Sequence, residues 1–407
     1  MADPQENAYG FVDSFNADET PDREGIEHYK ALAIQTVDDI QETLLSVYNF
    51  VPCHEPIEAF NQVQVRTEHL DKLLSDLVPT VRRHVAALSE AVLDLSDHPN
   101  ESISRLKLVA GVVPALGSTW GQLSSCLRTA HPGRMYARWT RHDKYFKDRK
   151  AFRTGELQQR IFASAQAILD FFACSRAAIG RLGNLSDDQP QERPAVLKQT
   201  AACLKSIDRV AELINTSELD IIQDHWQSSI TDSMNDSLDR LLQFVSAHSH
   251  QVDSPQSRLK DPNLAGLMMV IIKLERLFFT KLSRILTDKR IFAMVTDLSS
   301  RELYKLSLFT HSVSRRISDI VDVLCEDNLR GEPLHTSLAA IEDATTYLLI
   351  FPNIIFPTIR EVFVPLRHDP DQPSPVIYFK AWFYQWNNHL FLAIRNFFEA
   401  AGLAVDF

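Results

Sequence analysis

From Gly25 onward, apolar residues return every three or four positions, and the interruptions between these runs are spaced at helix lengths. In the first run Ile26, Tyr29, Ala33, Val37, Ile40, Leu44 and Val47 share one face, while Asp38, Asp39 and Glu42 occupy others. That is an amphipathic helix of about seven turns. Breaks follow at Pro52 and Pro56, at Pro79, at His98 to Asn100, at His131 to Gly133 and at Thr154 to Gly155. The intervals predict helices over 57–77, 80–95, 101–129, 134–150, 154–183, 195–214, 217–247, 263–286, 300–326, 334–366 and 376–401. Thr154 is expected to cap 154–183 and Gly183 to end it, and Ser217 with Asp220 three residues on is a capping-box variant. No stretch alternates like a strand, and glycine is scarce: 12 of 407 residues, about 3% against a usual 7% or so.

The expected fold is therefore all-α, with long antiparallel helices in one elongated or two adjacent helical bundles and no sheet. Residues 1–24 are acidic and poor in aliphatic residues and are expected to form a disordered tail. The loop from Asn184 to Pro194 is the expected boundary between an N-terminal bundle, 25–184, and a C-terminal bundle, 195–407. Ser249 to Asn263 and Arg367 to Pro375 carry similar punctuation. Gly117 and Gly121, in an apolar helix, predict a close helix crossing.

With 53 acids against 42 Lys+Arg the net charge is −11, which argues against a surface that coats nucleic acid or anionic membrane throughout. The five cysteines are odd in number and mostly sit in apolar runs, and the N-terminal residues lack the basic and apolar parts of a signal peptide. A cytoplasmic location, or a nuclear one, is expected. The apolar runs Leu264 to Ile272 and Tyr347 to Ile359 are each shorter than the roughly 20 residues a bilayer requires. No transmembrane segment is expected.

Catalytic motifs are missing: no G-x-G-x-x-G, no Gly-Lys-Ser/Thr, no G-x-S-x-G, no H-E-x-x-H and no C-x-x-C. Glu332 and His335 alone have the Glu-x-x-His spacing of a di-iron bundle, with Pro333 between them. His248 and His250 read as a solvated helix end, and Glu218, Asp220, Asp224, Asp232, Asp236 and Asp239 as a solvated acidic helix. No catalytic residue, metal site or cofactor is expected, and the chain reads more readily as a binding protein than as an enzyme.

The strongest local anomaly is 128–153, where nine basic residues and two acids are interleaved with Tyr136, Trp139, Tyr145, Phe146 and Phe152. On a helix Arg134, Arg138 and Arg141 share a face that Tyr145 continues. These cations either pair with the chain's own acidic surplus, with the aromatics packed inside, or meet an acidic protein; nucleic acid and anionic membrane are the weaker alternatives. A second concentration is the C-terminal helix, with Tyr378, Phe379, Trp382, Phe383, Tyr384, Trp386 and Phe391, which reads as buried or as an aromatic anchor for a partner helix. The run Leu267 to Leu286 reads as a central core helix with Lys273, Arg276, Lys281 and Arg284 at its edges.

The expected function is an intracellular adaptor or scaffold that binds a protein partner through helix faces. Its candidate contact residues are Arg134, Arg138, Trp139, Arg141, Lys144, Tyr145, Lys147, Trp382 and Trp386. The alternatives are an all-α enzyme or small-molecule binder with a pocket between helices, and peripheral binding to anionic lipid or nucleic acid.

Overall fold

A computed structural model describes residues 23–45, 63–97, 102–130, 142–182, 192–248, 261–286, 296–325, 334–362 and 375–403. The fold is all-α, and the described residues contain no strand. The helices are α1 (Arg23–Leu45), α2 (Val63–Lys72), α3 (Val78–Asp97), α4 (Ser102–Ala130), α5 (Ala151–Gly180), α6 (Glu192–Glu212), α7 (Glu218–Ser228), α8 (Asn235–His248), α9 (Pro262–Leu286), α10 (Ser300–Cys325), α11 (Leu334–Val362) and α12 (Pro375–Ala401). Single π-helical turns, Leu73–Leu77 and Ser229–Met234, join α2 to α3 and α7 to α8.

The chain forms two compact units, one of residues 1–135 and 154–214, the other of 136–153 and 215–407. Their divisions fall inside α5, between Arg153 and Thr154, and after Ile214. The expected linker Asn184 to Pro194 lies mostly outside the described residues, as do residues 1–22 of the expected tail.

In the first unit α4 packs against α1, α2 and α3, and α6 lies along α3. The α1 stripe read from the sequence is the buried one, with Ala33, Val37, Ile40 and Leu44 inside. Gly117 carries the close crossing: a Cβ there would lie 3.2 Å from Cγ1 of Ile40, whereas one at Gly121 would meet nothing within 4 Å. α5 and α6 are joined by the Ser164 and Ser206 hydroxyls, 3.1 Å apart, and by Arg160, which donates to the Arg209 carbonyl at 2.8 Å.

In the second unit α10 packs against α7, α8 and α11, and α9 against α8 and α12. Ser217 caps α7 through a complete capping box: its Oγ accepts from Asp220 N–H at 3.0 Å, and Asp220 accepts from Ser217 N–H at 3.1 Å. Both strong stop signals inside α11, Pro352 and Pro357, are absorbed without a break, because Phe351, Ile355 and Ile359 are buried in the unit. Thr336–Pro357 is long and apolar enough to cross a membrane, with a mean hydropathy of 1.3. It also presents Glu342 and Asp343 to solvent, and one such helix packed in a bundle is not a clear transmembrane segment.

Two helix expectations are corrected. α5 starts at Ala151, and Thr154 is a buried residue of its first turn rather than its cap. The segment 134–150 is not an α-helix where it is described: Asp143–Arg149 is a 3₁₀ stretch interrupted at Lys147, whose φ of 53° and ψ of −119° lie outside helical values.

Candidate functional site

Of the predicted contact residues, Arg134, Arg138, Trp139 and Arg141 lie outside the described residues. Lys144, Tyr145 and Lys147 project from the 3₁₀ stretch into solvent, Tyr145 with 79% of its surface exposed and the Lys144 ammonium 5.0 Å from its ring centre. The turn at Lys147 separates this face from Lys150, Phe152 and Arg153, which are buried.

Those inward residues build a buried polar clamp. Lys150 Nζ donates to Glu218 Oε2 at 3.0 Å and to the Thr296 carbonyl at 2.5 Å, and both side chains of the ion pair are wholly buried. Thr296 donates its N–H and its hydroxyl to the same Glu218 oxygen, each at 2.8 Å. Eight residues before Ala151, Asp143 is also buried and accepts from the N–H groups of Ala151 at 2.9 Å and Ser300 at 2.8 Å, and from the Ser300 hydroxyl. It therefore serves the first turns of α5 and α10 together, where unpaired N–H groups favour an anion. Phe152 packs edge-on against Tyr304 at 5.1 Å, and Arg153 donates to the Thr216 carbonyl at 2.7 Å. Burial pushes the Glu218 carboxyl up, and Lys150 and Thr296 oppose that shift.

This network corrects one sequence reading: Glu218 is an interior ion-pair partner, not part of a solvated acidic face. Asp220 belongs to the capping box expected at Ser217. Within the basic segment, Lys150 and Arg153 are structural, so the outward charge of its described part is carried by Arg128, Lys144 and Lys147, with Arg149 partly covered. Nothing in local sequence distinguishes Lys150 from Lys147; a register in a 3₁₀ turn does.

The aromatic helix α12 is two-faced. Trp386 is buried, its indole N–H donating to the Leu274 carbonyl at 2.8 Å and its ring stacked on Phe278 at 4.3 Å. Trp382 continues the stack, half-buried, 6.1 Å from Phe278. These two predicted contact residues hold α12 to α9. The other face turns Ile377, Tyr378 and Tyr384 out with 63%, 67% and 62% of their surfaces exposed, followed by Phe391 and Leu392.

α9 is likewise not a wholly buried helix. Leu277 is 51% exposed and Val270 is also exposed, in one row with Lys273, Lys281 and Arg284. Neither Lys273 nor Lys281 forms an ion pair among the described residues. At the centre of its inner face, Glu275 is completely buried, both carboxyl oxygens lack a hydrogen-bond partner among the described residues, and burial holds its carboxyl well above the usual range.

In the first unit, a cavity of about 10 Å³ lies between Val78, Trp120, Leu123, Ile161, Ser164 and Val210. It has room for about one water, against the roughly 300 Å³ or more of a small-ligand site. Among the described residues no group of three or more His, Cys, Asp or Glu is placed to hold a metal ion.

Two family models match the chain. Residues 66–215 are similar to a domain of unknown function (DUF8723), and residues 217–399 to a second domain of unknown function (DUF8721). The junction between the matches at residue 216 follows directly on the unit division after Ile214. The clamp residues Asp143 and Lys150 fall within the first match, although they belong to the second compact unit. No curated protein and no solved structure matches the chain.

Proposed function

We propose that the chain is an intracellular helical adaptor or scaffold that binds a protein partner through the outward face of α12. The observation that carries this reading is the row Ile377, Tyr384 and Phe391, three exposed large apolar residues at seven-residue intervals, with Ala381 and Asn388 exposed between them. A soluble helix usually turns such a heptad row inward, and an outward one suits a second helix laid along it. The inner face of α12 is already committed through Trp386 and Phe383, so the row is additional to the core. The described cysteines, Cys126, Cys174, Cys203 and Cys325, are free thiols, which supports a reducing compartment.

The test compares proteins recovered from native extract by wild type, by Ile377→Lys/Tyr384→Ser/Phe391→Lys, and by Lys144→Glu/Lys147→Glu, each shown to be folded by circular dichroism. A protein recovered by wild type and lost with the α12 variant supports the reading. Loss with the Lys144/Lys147 variant alone moves the contact to the 3₁₀ stretch, and identical recovery by all three forms overturns the adaptor reading.

A further inference from the structure

Resting on the adaptor reading, we infer that the solvent face shared by α9 and α12 receives an acidic amphipathic helix of a partner protein. The two helices are joined edge to edge through Phe278, Trp382 and Trp386 and by the indole bond to Leu274. On the α9 side of that seam the exposed row is Val270, Lys273, Leu277, Lys281 and Arg284, with spacings of three or four that place it on one face. On the α12 side, Tyr378 and Leu392 are exposed two heptads apart and flank the partly covered Trp382. The surface thus sets Val270 and Leu277 of α9, flanked by Lys273, Lys281 and Arg284, beside Tyr378, Leu392 and the partly covered Trp382 of α12.

Its charge identifies the occupant. α9 and α12 together carry six Lys or Arg residues, Lys273, Arg276, Lys281, Arg284, Lys380 and Arg395. Their two acids are Glu275, which is wholly buried, and Glu399, which pairs with Arg395 at 3.5 Å. In a chain with 53 acids and 42 Lys+Arg, this is a local reversal of sign beside exposed apolar rows. Leucines at heptad spacing would fill the apolar rows, and flanking Glu or Asp would meet Lys273 and Lys281. From Val270 to Arg284 the row is 15 residues of α9, which sets the bound helix at about 21 Å, or some four turns. An anionic membrane surface shares part of this chemistry, but it would have to approach the whole −11 body, whereas a helix needs only this face.

The test uses the full chain and a fluorescent 18-residue synthetic helix with leucine at heptad positions and glutamate flanking them. Its control is the same peptide with every glutamate replaced by lysine. Anisotropy is expected to show binding of the glutamate peptide, at least about tenfold weaker binding of the lysine peptide, and weakening with salt. Lys273→Glu/Lys281→Glu should weaken the glutamate peptide about tenfold, and Leu277→Ser should weaken both peptides. All three side chains are solvent-facing, and retained circular dichroism establishes that the variants fold. Equal binding of the two peptides, indifference to the lysine reversals, or binding to phosphatidylserine-containing vesicles in place of the glutamate peptide overturns the inference. If those results arise while the α12 variant still loses its native partner, this inference fails and the adaptor reading stands; if native recovery is also indifferent to that variant, both fail.

Discussion

Replacing Lys150 by Met removes the cation of the buried clamp while keeping most of its aliphatic length. Among the described residues the ammonium donates to Glu218 at 3.0 Å and to the Thr296 carbonyl at 2.5 Å. After the substitution Glu218 keeps only the N–H and hydroxyl of Thr296, in a place where its side chain has no solvent contact. Removing one member of a buried pair costs about 3–5 kcal/mol, roughly a hundred- to a few thousand-fold in the folding equilibrium at about 1.4 kcal/mol per decade. Lys150→Met and Glu218→Met are each expected to lose that much, and the double variant to recover to within about 1 kcal/mol of wild type, since it buries no charge. Urea unfolding of the full chain, followed by hydrogen exchange resolved over α7 and α10, reads the second unit separately. The Lys150→Met deficit should also shrink as pH falls toward the ordinary Glu value of 4.5, because the folded-state carboxyl, already raised by burial and raised further without Lys150, takes up its proton above that value. A deficit under about 0.5 kcal/mol for Lys150→Met, or a double variant that costs the sum of the singles, would refute the clamp as a coupled buried pair.

Glu275 supplies a prediction of opposite sign. Its folded-state affinity for a proton is raised by burial, so the stability it permits is complete below about pH 4.5 and is lost as pH rises toward its folded value. Glu275→Met should therefore raise the pH 7 stability by about 1–4 kcal/mol and flatten the stability profile above pH 4.5, which denaturation across pH will show. On α12 the two faces should separate: Trp386→Ala is expected to cost about 3–5 kcal/mol, and Tyr384→Ser to stay within about 0.5 kcal/mol, measured by urea unfolding. The Cys203 thiol is buried and pushed up to about 12, so a thiol reagent at pH 8 should label it only after unfolding. Cys174, which is partly exposed, should react in the folded chain.

The all-α fold was legible because helical periodicity is local: the face of α1 can be read from one run of residues, and so can the capping box at Ser217. Stop signals were less readable. Proline and glycine weaken a helix by known amounts, but packing decides whether the chain breaks: the expected breaks at Pro79 and at Thr154 to Gly155 lie inside helices, while α11 runs through Pro352 and Pro357 as expected. The candidate site was legible in composition and not in orientation. An unusual density of cations and aromatics pointed to 128–153 and to the C-terminal helix, yet Lys150 and Trp386 turn inward, while Ile377, Leu277 and Lys273 turn out. Those outcomes depend on partners over a hundred residues away, Thr296 for Lys150 and Leu274 for Trp386, which no window along the chain contains.

The clamp also sets how this gene product can be dissected. A cut at residue 216, where the family matches meet, would leave Glu218 on one fragment and Lys150 on the other. The C-terminal piece made alone would carry an interior carboxylate without its counter-ion and an α10 start without the Asp143 cap. The two halves are therefore not interchangeable cassettes: an expression fragment, a domain swap or a permuted chain preserves the second unit only if residues 142–153 travel with it.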